Sequence, residues 1–341
     1  MPKLDVSNLL QPVLHPIYGR LLCAEMQSRG FTPEQILAGT SLSWDRFHEV
    51  SDFLNFEQMR RLIMHCMQLA ECPWLGIDVG LRTQASSHGA LGAAMGASRN
   101  LGDAMRVAEK YAFFRQYMVT MHWVTGPEPY IAVNEVVPLG ELREFLLCLL
   151  VAGLKQVLGA LAGQNSQALV RIEWPFPAHD WTDQYLRICD NNRFGQNQLR
   201  FYLDPASLSI PSLSADDEAL QSALRECELQ LSRAKTGSTF SHKIRSLLMR
   251  YEDHLPTLNE VAARENMSPR TFIRHLKSEN TNYQMLLDDV RQARGTWLLE
   301  HTDEPIESVA SQLGYIDTSN FSRTFRRWFG LTPNQYRKKY R

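Results

Sequence analysis

In the last third of the chain, apolar positions repeat with the period of an α-helix, and the same layout occurs twice. Ile306, Val309, Ala310 and Leu313 give one helix a single apolar face. Gly314 follows where a helix ends on a positive φ, and Asp317 stands where a carboxylate caps the next helix. In that next helix Phe321, Phe325 and Phe329 share one side, with Ser319, Arg323, Arg326 and Arg327 opposite. Leu258–Lys277 repeats the pattern with one residue fewer in the turn. Val261-Ala262 matches Val309-Ala310, and Phe272, Arg274 and Leu276 match Phe321, Arg323 and Phe325. Ser268 reads as an N-cap and Pro269 as a first helical residue.

Between the copies, Leu286, Val290, Ala293 and Trp297 form a stripe along Tyr283–Glu300. A helix of that length is about 27 Å long, close to the ~34 Å between successive major-groove faces of DNA. An isolated helix with arginines opposite phenylalanines is usually a solvated surface helix. Two in tandem, joined at this distance, point to helix-turn-helix units that read adjacent groove segments.

Residues 1 to about 215 carry mixed periodicity. Helical spacing marks Val13–Arg29, Phe56–Ala70, Leu101–Phe114 and Glu141–Leu161. Tyr117–Val124 and Tyr130–Val137 are β-rich and flank Gly126-Pro127-Glu128-Pro129, which predicts a hairpin. Ala168–Trp174 and Leu199–Leu203 read as further strands. The pattern predicts an α+β domain, helices with an antiparallel sheet, followed by an all-α domain with two helix-turn-helix motifs joined by a long helix. The expected organisation is one domain over 1–215, a helix and linker over 216–239, and a DNA-binding domain over 240–341. In the middle part Leu220, Leu224, Cys227 and Leu231 form an apolar stripe, which packs either on its own domain or on a second subunit. The small polar run Ala234–Thr239 follows it.

Composition changes this picture little. The formal net charge is −1, but from Gly237 onward 16 Lys+Arg face 12 Asp+Glu, leaving 20 against 25 before it. A mildly basic C-terminal part on an acidic N-terminal part suits a DNA reader carried by a sensor. The N-terminus lacks an uninterrupted signal core, and the apolar run Phe145–Leu154 is too short to span a bilayer, so a cytoplasmic protein is expected. The six cysteines are scattered without a CxxC pair, and Cys66, Cys72 and His65 lack a convincing metal spacing. We expect reduced thiols, no metal and no cofactor. The small residues of His88–Gly96 read as close packing rather than a phosphate loop, and His122 as a structural histidine. No nucleophile constellation is present, which argues against an enzyme. The aromatic residues Tyr111, Phe114 and Tyr117 with Arg115 are candidate lining for an effector pocket, with core packing as the alternative.

Gly314-Tyr315, Asp317, Ser319, Phe321, Arg323, Phe325-Arg326, Phe329-Gly330, Thr332-Pro333 and Tyr336-Arg337 together resemble the signature of the AraC/XylS family of bacterial transcription regulators. The resemblance covers about Gly237–Arg341. The N-terminal half is similar to the "arabinose-binding-like" effector domain of a subgroup that includes ornithine-utilisation regulators, on HGALGAAM and FGQNQLRFYLDPASL. The early His-rich strand series of the arabinose regulator itself is missing, so no ligand residue is carried over. The resemblance implies an effector-responsive regulator, an activator by expectation, with double-stranded DNA, RNA polymerase, a small-molecule effector and a second copy as partners. A regulator without small-molecule control, or an enzyme tethered to DNA, are the alternatives. Expected base-reading residues are Arg270, Ile273, Arg274, Ser319, Asn320 and Arg323; Lys277, Thr318, Arg326 and Arg327 are expected on phosphates.

Overall fold

In a computed structural model, residues 12–40, 42–44, 54–112, 118–162, 168–212, 214–235, 240–249, 251, 255–279 and 281–340 are described. The chain divides into two compact units. One comprises Ile17–Phe31 and Cys66–Ala234; the other comprises Met1–Pro16, Thr32–His65 and Lys235–Arg341. A stretch of the N-terminal half thus counts with the C-terminal helices.

Strands β1 (Pro12–Leu14) and β2 (Leu54–Asn55) make an antiparallel ribbon in the unit that holds the C-terminal helices. Strands β3 (Val119–Val124), β4 (Tyr130–Glu135), β5 (Leu169–Glu173), β6 (Asn192–Arg193) and β7 (Leu199–Leu203) form the sheet of the other unit, in the order β3-β4-β7-β5-β6. The expected hairpin is present, with Val119 opposite Glu135 and Val124 opposite Tyr130. The sheet is antiparallel except at its edge, where β5 and β6 run parallel. His122, expected as a structural histidine, lies exposed on the edge strand β3.

Helix Arg143–Ala162 is long and apolar enough to cross a bilayer by composition, yet it carries much of this unit's core: Leu147, Val151, Ala152, Val157 and Leu158 are buried. It packs tightly on helix Leu75–Leu81, because Gly76 leaves room for the Phe145 carbonyl and Gly80 for Ala152. The close packing expected at His88–Gly96 holds at Gly92, where a β-carbon would collide with the Ala85 carbonyl. The linker helix spans Asp217–Lys235.

The C-terminal helices have two cores rather than one. Val261, Ala262, Phe272 and Leu276 pack with Leu286, Leu287, Val290 and Ala293; Ile306, Val309, Leu313, Phe321, Phe325 and Phe329 pack with Leu299. The connecting helix, Tyr283–His301, serves both. Leu286, Val290 and Ala293 are buried as the stripe predicts, but Trp297 is only half-buried and stacks on His301 at 5.3 Å. The buried face turns at Gly295 and Thr296, where the absence of a side chain on Gly295 admits Leu313, so that Leu299 takes the place expected for Trp297.

Candidate nucleic-acid interface

The first helix-turn-helix unit begins at Thr257, which forms a capping box with Glu260 and starts helix Leu258–Arg264. Asn266 turns the chain at φ +56, and the Met267 N–H donates to the Ala262 carbonyl at 2.9 Å. Ser268 then caps helix Pro269–Ser278 by accepting the Thr271 N–H at 3.2 Å. Phe272 and Leu276 are buried in the core, while Arg270, Ile273, Arg274 and Lys277 are exposed.

The second unit repeats these contacts. Gly314 turns at φ +76, and the Tyr315 N–H donates to the Ala310 carbonyl at 3.0 Å. The turn's additional residue is Ile316, whose side chain is wholly exposed. Asp317 accepts the Asn320 N–H at 2.6 Å and so starts helix Thr318–Phe329. Its three phenylalanines are buried; Ser319, Asn320, Arg323, Arg326 and Arg327 are exposed, and Thr318 is half-buried. Gly330 ends the helix at φ +71.

Several residues of the sequence signature hold this frame. The Tyr336 hydroxyl donates to Glu300 at 2.6 Å, and burial pushes that hydroxyl's pKa up. Thr332 and Gln335 cap the last helix reciprocally, and Arg337 donates to the Glu304 carbonyl at 2.6 Å. Arg291, which sequence reading missed, reaches from the connecting helix to the second turn. It donates to the Leu313 carbonyl at 2.9 Å with its guanidinium 4.7 Å from the Tyr315 ring centre. Only its position among polar helix residues marked it.

Among the described residues, Arg270, Arg274, Lys277, Arg323, Arg326 and Arg327 form no ion pair. Uncompensated cations on the outward faces of two helices favour phosphate, because neutralising a phosphate releases condensed counterions. Helices buried on one side by phenylalanine and polar on the other have the shape and chemistry to enter a groove.

Residues 261–339 match a family described as a helix-turn-helix domain. Residues 30–212 match the arabinose-binding domain of AraC transcription regulators. The chain belongs to the AraC family of transcription regulators. It is 31% identical to an ornithine utilization regulator of Pseudomonas aeruginosa over 84% of each chain. It is also 26% identical to an uncharacterised helix-turn-helix transcriptional regulator of Mycobacterium tuberculosis, over 96% of this chain and 97% of that one. Among solved structures, the regulator CdpR of P. aeruginosa matches over 94% of this chain and 98% of its own, with 23% identity and a TM-score of 0.47. The protein is a DNA-binding transcription regulator.

In the unit with the five-stranded sheet of this AraC-family chain, Tyr111 is buried and its hydroxyl donates to Glu228 of the linker helix at 2.6 Å. Lys110 pairs with the same carboxylate at 2.5 Å. Phe114, Arg115 and Tyr117 lie outside the described residues, as does most of the small polar run after the linker helix. Cys227 and Leu231 of the linker stripe are buried against their own chain, Leu220 and Leu224 are half-buried, and Leu229, on the opposite side of the helix, is exposed. All six cysteines are buried free thiols. Among the described residues no three His, Cys, Asp or Glu side chains converge on a metal position. His65 instead makes a 2.7 Å hydrogen bond with the Gln35 carbonyl.

Proposed function

We propose that the protein reads two successive major-groove segments of an operator. Arg270, Ile273, Arg274, Ser319, Asn320 and Arg323 meet base edges; Lys277, Thr318, Arg326 and Arg327 hold phosphates. The observation that carries this reading is the matched pair of amphipathic helices, each buried on its phenylalanine side and bearing exposed cations without ion-pair partners among the described residues. Replacing a base-reading arginine with Ala should cost about 1–3 kcal/mol and relax preference at one operator position. A lost phosphate contact should weaken all sequences alike and flatten the salt dependence. Unchanged affinity of Arg323→Ala for both selected and random DNA would refute the assignment.

We further propose that the regulator is a cytoplasmic, effector-responsive activator that binds its operator as a dimer and contacts RNA polymerase there. The sensor half supports effector control through the Tyr111–Glu228 hydrogen bond. An effector near Tyr111, Phe114, Arg115 and Tyr117 would act directly on the linker helix. One relative is named for ornithine utilisation, so ornithine and related amino acids come first in a thermal-shift screen of the intact protein. Leu229, on the opposite side of the linker helix from Leu220, Leu224, Cys227 and Leu231, is exposed and is the proposed dimer contact. A charged residue at Leu229 should lower self-association in sedimentation. If no amino acid or other small molecule shifts the melting point, control lies with a protein partner or is absent.

A further inference from the structure

One group of charges in the C-terminal unit comes from far upstream in the chain. Asn55 and Gln58 cap helix Phe56–Ala70 reciprocally, at 2.8 and 3.2 Å. That start places Glu57, Arg60 and Arg61 on neighbouring turns at i, i+3 and i+4. Glu57 accepts from Arg60 at 2.9 Å and from Arg61 at 2.5 Å. Arg60 also donates to Glu300 of the connecting helix at 3.1 Å, and Glu300 accepts the Tyr336 hydroxyl. The Arg61 guanidinium lies 4.6 Å from the Phe329 ring centre and 5.4 Å from that of Tyr336. The Arg61 side chain is only 8% exposed, and that of Glu57 9%.

These contacts reach three parts of the DNA-binding apparatus. Phe329 ends the second recognition helix, Tyr336 lies in the last helix, and Glu300 closes the connecting helix. A narrow cleft beside Arg61, lined by Asn55, Gln58, Asp289, Gln292 and Phe329, has space for about one water. Asp289 is in turn paired at 3.1 Å with Arg245, in the helix that opens the first helix-turn-helix core. The exposed Arg323, Arg326 and Arg327 of the second recognition helix take no part in these contacts.

We infer that residues 54–61 are a strut for DNA recognition, with Arg60 and Arg61 as positioning residues. They fix the second helix-turn-helix unit on the connecting helix and thereby set the spacing and angle of the two recognition helices. Burial selects this arrangement strongly, because two carboxylates and two guanidinium groups balance within it, and removing any one leaves a buried charge unpaired. The inference rests on the tandem-groove reading above.

The test uses the full-length protein. Operators are first selected by it from a random library, then rebuilt with one or two base pairs added or removed between half-sites. Wild type should discriminate sharply against altered spacing. Arg61→Gln and Arg60→Ala should lose about threefold or more of that discrimination while melting cooperatively, and Arg60→Glu combined with Glu300→Arg should restore part of it. Arg60 is the more exposed of the two arginines, so its variant remains informative if Arg61→Gln does not fold. Folded variants that keep the wild-type spacing preference would overturn the strut, as would variants that bind every operator more tightly, which would make the contact a brake. If wild type selects only single half-sites, the tandem reading fails and the strut with it.

Discussion

Asn266 and Gly314 occupy the same place in the two helix-turn-helix units, at φ +56 and φ +76. Each follows a helix whose penultimate-turn alanine carbonyl accepts the next N–H, Ala262 in one case and Ala310 in the other. A β-carbon at Gly314 would meet only Arg291 Nη2, at an ordinary 3.5 Å. The cost of Gly314→Ala is therefore the backbone's, about 1–2 kcal/mol, whereas Asn266→Gly should stay within about 0.5 kcal/mol of wild type. Urea unfolding of both variants checks the pair.

Helix packing in the unit with the five-stranded sheet is tighter. Gly76→Ala or Gly80→Ala forces a methyl against the backbone or side chains of helix Arg143–Ala162. Overpacking of this kind should cost about 1–3 kcal/mol, visible as a lower thermal midpoint. Gly159→Ala in the same helix, with open space around it, should not.

In the second core Phe325 is fully buried, and Trp297 is not. Phe325→Ala should lose about 3–5 kcal/mol, and Trp297→Ala nearer 1 kcal/mol, chiefly its stacking on His301. Equal losses in denaturant titration would return Trp297 to the core.

The Glu57 carboxyl links stability to acid. Burial alone would raise its pKa, but Arg61 and Arg60 together hold it below the ordinary carboxylate range. A carboxyl with a lowered folded pKa stabilises above its unfolded value and loses that contribution as pH falls through the folded one. The stabilisation should therefore be complete above about pH 4.5 and decline below it. Thermal midpoints of wild type should fall across that range more steeply than those of Glu57→Gln. Parallel curves would show that Glu57 does not carry the effect.

Both helix-turn-helix units were legible in the sequence because their determinants are local. Ser268 and Asp317 cap within three residues, and Phe321, Phe325 and Phe329 repeat every turn. The extra turn residue was countable too, although only the structure identifies it as the exposed Ile316. Trp297 was misassigned because a fixed stripe assumes a straight buried face, and here that face turns at Gly295. The two-residue strand Asn192–Arg193 is too short for alternation to register. The strut was invisible for another reason: Arg60 and Glu300 are 240 positions apart, and nothing near either residue announces the other.

The burial of all six cysteines also makes the protein a ready substrate for spectroscopy. Their thiols sit in the core, and burial raises the pKa of Cys23 to about 12 and pushes the Cys66 and Cys148 thiols up as well. Thiol reagents attack the thiolate, so the native chain should stay largely unlabelled at neutral pH. A cysteine placed at exposed Ile273 and another at Asn320 would then take donor and acceptor dyes without first removing the natural six. The distance between the two recognition helices would become directly measurable in solution in the DNA-free protein.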